Sequence, residues 1–522
     1  MAKGREKSDG RVVPEDRRKA APSAGRHGGK ATTAEQAVGQ LGLFRETADS
    51  PQGATGGLGV GQPTSVPRVV PKSRTKKGES PPAMTMEEVA RDENLRKAFQ
   101  SVASNKGAPG PDRQSISEVR EHLEEILAVL HRELLAGIYR PGDIRRVWIP
   151  KAGGGQRGLG IPNVVDRVVQ QAVHQVLSPN YDPSFHESSH GFRPGRSCHT
   201  AIAEAKKHLE KGLAWVVDLD LEKFFDKVNH SRLMSRLEER IEDRRLLRLI
   251  RQMLTAKVVM PDGVVVATVE GTPQGGPLSP LLSNIVLDEL DRELARRGHR
   301  FVRYADDSNI YVGSERSGQR VMASITHFIE SRMRLKVNAA KSAVARPEER
   351  HFVGFRLRPE PKYGDVEVRL SKRSKERLSA KIRELTPRNW GSSLASCILR
   401  LNVYLRGWIG FFRVCGPEEL QTLRALDAHI RRRLRAIVLK HWKRRRTMAK
   451  RLIQLGVRPK TAWRGIYEGR KSLWALSHSS PVDRGLRNAY FAERGLVSLE
   501  QQWRVLNPKP VIAPVQLTLQ LG

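Results

Sequence analysis

The residues best suited to chemistry are aspartates in two short apolar runs. FVRYADDSNIYV (Phe301 to Val312) has apolar arms flanking Asp306 and Asp307, the pattern of a β-hairpin with both aspartates at its turn. Alternation along the first arm puts Val302, Tyr304 and Asp306 on one face. WVVDLD (Trp215 to Asp220) reads as another strand, with Val216, Asp218 and Asp220 on one face. Aspartate is disfavoured in strands, so two on one face demand a partner. An Asp-rich turn alone is commonly just solvated; the acidic strand upstream favours function. If the two strands are neighbours in one sheet, Asp220, Asp306 and Asp307 converge. Unit charges about 4 Å apart repel by roughly 4 kcal/mol at an effective dielectric near 20. Such a cluster needs protons or cations. With no nearby His or Cys, its all-oxygen donor set suits Mg²⁺, held by one or two carboxylates plus phosphate oxygens. Two such ions about 4 Å apart would activate a 3′-hydroxyl and stabilise leaving pyrophosphate.

The charge balance supports a polyanionic substrate. The chain has 522 residues, with Lys+Arg 92 against Asp+Glu 56, a net charge of +36. Nucleic acid is the first candidate partner. A membrane is disfavoured, because no apolar run approaches a span, and the basic N-terminus has no apolar stretch behind it to make a secretory signal. Cys198, Cys397 and Cys415 form no C-x-x-C pair, so neither a disulfide framework nor zinc is expected. They read as reduced packing residues in a cytoplasmic protein. Together with the carboxylates, this points to nucleotidyl transfer on a long nucleic acid.

The length predicts two or three domains. Residues 1–84 are rich in Gly, Pro, Ser, Lys and Arg and read as a disordered basic tail; Leu41 to Phe44 is an incidental apolar cluster within it. Helical spacing begins near Met86 and resumes from Ile116 to Ala136, after the Gly/Pro loop Ser104 to Asp112. A strand ending at Pro150, a basic glycine-rich hairpin carrying Lys151 and Arg157, and a strand at Leu159 to Ile161 follow. Such a loop can wrap a triphosphate with a cation on each arm, or be merely solvated. SSHGFRPGRS (Ser188 to Ser197) is another basic loop, equally weak alone. Phe224 and Phe225 read as core and Asp226 as a helix cap. After the compact turn GTPQGGPLSP, Ser279 as N-cap and Pro280 at the first position open a helix with Leu282, Val286, Leu290 and Leu294 as its stripe. RLKVNAAKS offers a strand and a turn with Lys341, and HFVGFRL a short final strand. Beyond Ser374 the pattern is helical and basic. One helix carries Arg431, Arg432, Arg433 and Arg435, followed by Lys440 and Lys443 to Arg446. A charge run is usually a solvated face, but this one is one-signed and interleaved with Trp408, Phe411, Phe412 and Trp442, which favours nucleic acid. Trp463, Trp474 and Trp503 read as the core of a smaller C-terminal unit.

YADD (Tyr304 to Asp307) resembles the catalytic box of reverse transcriptases. VVDLDLEKFFD, GTPQGGPLSPLLSNIVLDELD, SSHGFRPGRSCHTAI and HFVGF, in that family's order from about Met86 to Leu506, resemble the bacterial group II intron-encoded reverse transcriptase/maturase. The resemblance implies an α+β right-hand polymerase: fingers and palm at 85–365, the palm an antiparallel sheet backed by helices. A helical maturase-specific thumb at 366–449 follows (LRGWIGFF and HIRRRLRAIVLKHWKR), then a small DNA-binding-like helical region at 450–510 and a tail at 511–522. It implies metal ligation by Asp220, Asp306, Asp307 and the Leu221 carbonyl, with two Mg²⁺ ions and Mn²⁺ as a substitute. Lys151 and Arg157 would hold the triphosphate and Gln274 would lie near the nucleotide. Phe225 would exclude a 2′-hydroxyl, Tyr304 would support the primer end, Lys341 would protonate pyrophosphate, and Ser104 to Asp112 would cover the template. Arg431, Arg432, Arg435, Lys440, Lys443 and Arg444 would grip RNA. The implied partners are structured intron RNA as template and splicing substrate, a DNA primer or target, and dNTPs, with no membrane and no zinc.

Many relatives have proline where this chain has Gly158, implying a more pliant fingertip. Many also carry a Cys-rich H-N-H endonuclease; with no cysteine after Cys415 that nuclease is not expected, and an existing primer would be used. The alternatives are a non-polymerising RNA-binding maturase and a free-standing relative acting in phage defence or DNA repair.

Overall fold

A computed structural model describes residues 81–150, 155–360, 365–387, 391, 393–468 and 472–508. The expectations for the N-terminal tail, Leu41 to Phe44, Lys151 and the 511–522 tail therefore lie outside the described residues; the helix expected near Met86 is present. Four helices open it: α1 (Met86–Ala90), α2 (Asp92–Ser104), α3 (Ile116–Glu121) and α4 (Leu123–Ala136). Thr85 caps α1 through Glu88 N–H, and a Ser115/Glu118 capping box starts α3. Their apolar faces pack on α5 (Val164–Tyr181). The Gly/Pro loop after α2 is not slack: Arg145 donates to the Pro109 carbonyl at 2.6 Å and Arg167 to the Ala108 carbonyl at 2.8 Å.

Strands β1 (Ile144–Pro150) and β2 (Gln156–Ile161) form an antiparallel hairpin, extended by β4 (Val258–Val259) and β5 (Val265–Val266) in the order β2-β1-β4-β5. Gly158 pairs with Trp148 in this hairpin, and a Cβ there would lie 2.5 Å from Arg146 Nη1 and 3.1 Å from the Trp148 ring. That glycine makes room for the Arg146 and Trp148 side chains within a paired strand.

The central sheet is β3 (Trp215–Asp220), β6 (Arg300–Tyr304), β7 (Asp307–Val312) and β8 (Ala343–Ala345), in the order β6-β7-β3-β8, all antiparallel. Side chains alternate between its faces, and both faces are buried. Val217, Leu219, Phe301 and Ile310 join α5, α8 (His230–Glu238), α9 (Arg244–Thr255) and α10 (Ser279–Arg296) in one core. Val216, Val302 and Tyr311 face α6 (Cys198–Glu210) and the C-terminal helices in a second core. Between β3 and α8 lies the one-turn α7 (Phe224–Lys227); α11 (Glu315–Phe328) follows β7.

Strands β9 (Phe355–Pro359) and β10 (Val366–Leu370) lead to three long helices: α12 (Lys372–Leu385), α13 (Leu394–Phe412) and α14 (Leu420–His441). Six shorter ones follow: α15 (Arg445–Gln454), α16 (Pro459–Tyr467), α17 (Leu473–Leu476), α18 (Ser480–Gly485), α19 (Asn488–Ala492) and α20 (Leu499–Leu506). The C-terminal unit shares its core with the thumb. Buried Asp427 on α14 accepts from Leu499 N–H and Ser498 Oγ at the start of α20, and Trp503 Nε1 donates to the Cys415 carbonyl at 3.0 Å. All three cysteines are buried, and none is in a disulfide. Among the described residues no helix is long and apolar enough to cross a membrane.

Several local expectations need correction. Ser279 is the first helical residue of α10, not its cap; Leu278 holds that place, and the Ser279 hydroxyl donates to the Pro273 carbonyl instead. RLKV contributes a single bridge, Leu221 to Val337, and the strand forms later, at β8. Asp226 sits inside α7. Trp408 and Phe412 are core residues, packing rather than stacking platforms, and Phe411 and Trp442 are half-buried against the same core. Of the three C-terminal tryptophans only Trp503 is fully buried.

Candidate active site

The hairpin turn consists of Ala305 and Asp306, with Tyr304 paired to Asp307. Asp307 is thus the first residue of β7, and it, not Asp306, shares a face with Tyr304 and Val302. The shift arises because Ala305 adopts a left-handed conformation, φ 57°, which ends the alternation one residue early. On the other side of β7, Asp307 lies directly opposite Asp220. Two remote parts of the chain therefore bring Asp220, Asp306 and Asp307 to one end of the sheet. Burial pushes the Asp306 carboxyl up; Arg157 pulls it down and Asp220 raises it further. Burial, then Asp218, Asp306 and Asp220, push Asp307 well above the carboxylate range. Asp218 is paired with Arg350, whose Nε donates to it at 2.7 Å. Among the described residues no group of three or more His, Cys, Asp or Glu side chains closes to metal-binding separations. The carboxylates are neighbours that a cation would still have to draw together.

Sequence reasoning missed three supports here. Asp307 accepts from the backbone N–H of Val353, so the HFVGF turn reaches the site through its main chain. Arg350 occupies Asp218. Buried Arg303 underlies the turn, with Nη1 donating to the Ala305 carbonyl at 2.8 Å. Only HFVGF had a signal, as a short strand, and none pointed to a carboxylate partner.

Asp220 is fixed by its backbone. Ser342 Oγ accepts from its N–H at 3.0 Å, and Asn338 N–H donates to its carbonyl at 2.8 Å. The bridge beside it is formed by Glu222 N–H to the Lys336 carbonyl and Asn338 N–H to the Asp220 carbonyl, so the Leu221 carbonyl takes no part in it. Lys341 Nζ stands 3.2 Å from Asp220 Oδ2, an atom otherwise buried without a hydrogen bond. An ammonium beside an orphaned carboxylate oxygen, in an all-oxygen donor set, is the electrostatic position a divalent cation would take. The residues present fit such an ion.

Across from the carboxylates, Arg157 Nε donates to Gln274 Oε1 at 2.6 Å, and Gln274 Nε2 to Asp226 Oδ1 at 3.4 Å. Gly275, φ 135°, lets this turn approach β2 so closely that a Cβ would lie 2.4 Å from the Gly160 carbonyl oxygen. Phe225, buried and edge-on to Phe224 with centroids 5.4 Å apart, borders a cleft of about 340 Å³ that Gln274, Arg146 and Trp148 also line. The basic loop Ser188 to Ser197 is committed elsewhere: Arg193 binds Asp182 and the carbonyls of His186 and Ser189. On α14, Arg435 is buried, donating to the Leu486 carbonyl and paired with Asp483. It joins α14 to α18 and is not a free surface cation, contrary to the sequence expectation. Arg432 stacks on Trp474 at 4.2 Å. Lys440, Lys443 and Arg444 are exposed.

The mutual repulsion yields a prediction. Asp307 has its pKa raised on folding, so its ionisation opposes folding once pH exceeds the ordinary carboxylate range, and the penalty is relieved as pH falls through the raised value. Asp307→Asn is expected to raise the melting temperature of metal-free protein at neutral pH. It is also expected to shrink the further rise that Mg²⁺ gives. Calorimetry with and without Mg²⁺ checks this; a lower metal-free melting temperature would contradict it.

An antiparallel palm bearing clustered carboxylates, faced by a basic fingers hairpin and followed by a helical thumb, defines a template-directed polymerase. Residues 149–357 match the reverse transcriptase (RNA-dependent DNA polymerase) family, and residues 375–454 the group II intron maturase-specific domain. Protein YkfC of Escherichia coli K12 is 32% identical over 357 residues, 60% of this chain and 91% of YkfC. The group II intron-encoded protein LtrA of Lactococcus lactis is 29% identical over 328 residues, 50% of this chain and 54% of LtrA. The chain thus spans about half of LtrA's length. Among solved structures, a partial Cas6-RT-Cas1–Cas2 complex is similar at 23% identity and a TM-score of 0.31, over 47% of this chain and 42% of that one. The chain belongs to the group II intron reverse transcriptase/maturase family, an RNA-directed DNA polymerase joined to a maturase domain, and the family's polymerase reaction depends on divalent metal.

Proposed function

We propose that this chain copies intron RNA into DNA from a DNA primer, using dNTPs and two Mg²⁺ ions for which Mn²⁺ can substitute, and binds the same RNA to promote splicing and mobility. The observation that carries this reading is the pairing of Asp220 opposite Asp307, with Asp306 at the adjoining turn and Arg157 facing it. Asp220, Asp306, Asp307 and the Leu221 carbonyl would hold the ions. When bound, these would favour 3′-hydroxyl attack and stabilise the departing pyrophosphate. Arg157, positioned by Gln274, supplies positive charge for the triphosphate, and Lys151 is assigned to the same task. Lys341, exposed and beside Asp220, can deliver a proton towards pyrophosphate. Tyr304, on the face shared with Asp307, backs the primer end. Extension of an oligo(dT) primer on poly(rA) with Mg²⁺ is the direct test; no incorporation would favour a non-polymerising maturase.

The thumb cations make a separate prediction. Each Lys/Arg–phosphate contact releases counterions and steepens the salt dependence by about 0.7–0.9 in log–log slope. Converting exposed Lys440, Lys443 and Arg444 to alanine together is expected to flatten the slope for structured RNA by roughly 2. Filter binding across a salt series measures it, and an unchanged slope would remove these residues from the RNA grip.

A further inference from the structure

Arg303 lies between Val302 and Tyr304 in an apolar strand, yet its side chain is fully buried. On β6 it points away from the carboxylate face, into the first core. Every nitrogen of its guanidinium is used. Nε and Nη2 bind the two oxygens of Asp291, equally buried on α10, at 2.7 and 2.5 Å. Nη1 donates to Asn284 Oδ1 at 3.0 Å and to the Ala305 carbonyl at 2.8 Å. Nη2 also donates to Ser189 Oγ at 2.6 Å. A bidentate carboxylate holds a guanidinium in one plane, so the nitrogen aimed at Ala305 has a fixed place.

Ala305 is the residue that needs holding. It sits at φ 57° without being glycine, a conformation that persists only where its surroundings impose it. The Ser188 to Gly191 segment closes on the same turn from the outside. Ser189 bridges Arg303 in parallel, with Arg303 N–H to the Ser188 carbonyl and His190 N–H to the Arg303 carbonyl, both at 2.9 Å. Asn284 Nδ2 donates to the Gly191 carbonyl at 2.9 Å. A Cβ on Gly191 would lie 2.2 Å from the Ala305 nitrogen. Thus α10, the Ser188 loop and the hairpin meet at the residue preceding Asp306.

We infer that Arg303 is a positioning residue: together with Asp291, Asn284 and the close approach of Gly191, it imposes the left-handed Ala305 turn that carries the Asp306 carboxyl to Asp220. A buried ion pair is weak evidence for stability as such, since its desolvation offsets much of its attraction. A clamp on backbone geometry gives this one a use. The inference rests on the reading of Asp306 and Asp220 as a cation site, and it concerns how that site is shaped.

The test uses the full chain and Tb³⁺ luminescence as a direct readout of cation binding, beside Mg²⁺-dependent primer extension. Arg303→Met keeps the length of the side chain and removes the clamp. It is expected to raise the half-saturating Tb³⁺ concentration at least fivefold and to lower kcat at least tenfold, with KM for dNTP moving less than twofold. Arg303→Lys should recover little, because an ammonium cannot hold Asp291 and Ala305 together. Leu287→Ala, a cavity in the same helix, should lower the melting temperature while leaving the Tb³⁺ midpoint where it was. A Tb³⁺ midpoint in Arg303→Met equal to that of wild type overturns the inference, whatever its melting temperature. Should Arg303→Met not fold, Gly191→Ala decides: it leaves the ion pair in place and displaces the turn, so an unshifted midpoint overturns the inference equally. Wild type that binds Tb³⁺ but extends no primer would sink the polymerase reading and leave this comparison standing.

Discussion

Asp306→Ala is expected to abolish DNA synthesis while leaving RNA binding intact. Asp306 sits at the tip of the turn, largely buried, and none of the main-chain pairing of β6 or β7 depends on its side chain. Removing it takes away a carboxylate that burial and the Asp220 charge already strain, so the cost to folding is small or negative. The cost to chemistry is large. A group that stabilises charge at the reacting centre accounts for roughly 10²–10³ in rate when it is a single hydrogen-bond donor, and a cation ligand should exceed that, so a loss on the order of 10³-fold or more is expected. The proposed RNA grip lies elsewhere, on the exposed surface around Lys440 to Arg444. Primer extension and filter binding on one preparation separate the two. Loss of both activities together would mean that the aspartates hold up the palm rather than serve it.

The polymerase palm was legible in the sequence because aspartate is out of place in an apolar strand. WVVDLD and YADD each break the expected composition of a buried strand, and the structure sets them side by side. Periodicity also gave the long helices, such as the Leu282, Leu290 and Leu294 stripe of α10, though not the cap of that helix. What was not legible depended on partners far away in the chain. Nothing near Arg303 says that Asp291 will meet it in the interior, and in a strand of alternating pattern it reads as a solvent-facing charge. Arg435 sits in a run of arginines and reads like its neighbours; only the return of the chain at Asp483 buries it. The hairpin register moved by one residue because an alanine took the left-handed conformation, and alanine carries no signal for that. The C-terminal helices looked separate by sequence distance, yet Asn402, Asp427 and Trp503 tie them into the thumb core.

Phe225→Val is expected to let ribonucleotides into the product. The ring lies five positions beyond Asp220, at the border of the cleft that Gln274 also lines. It cannot swing aside easily. Phe224 packs edge-on against it, and the Phe225 carbonyl accepts from Thr272 N–H at 2.7 Å. Gly271, φ 90°, lets the following turn press so close that a Cβ would lie 2.9 Å from that carbonyl oxygen. A ring held this way would discriminate between sugars by volume. Trimming the ring to an isopropyl group frees space for one hydroxyl and keeps the apolar packing against Phe224 in part. A pocket that merely tolerates or rejects a hydroxyl by shape is worth on the order of 10² in kcat/KM, about 2.7 kcal/mol of differential transition-state binding. The ratio of kcat/KM for dGTP over GTP on one primer–template should fall by about that factor, mainly through a gain with GTP. An unchanged ratio in a folded, active variant would remove Phe225 from the selection of sugar. A fall caused only by slower use of dGTP would point to lost packing beneath the nucleotide rather than to a gate.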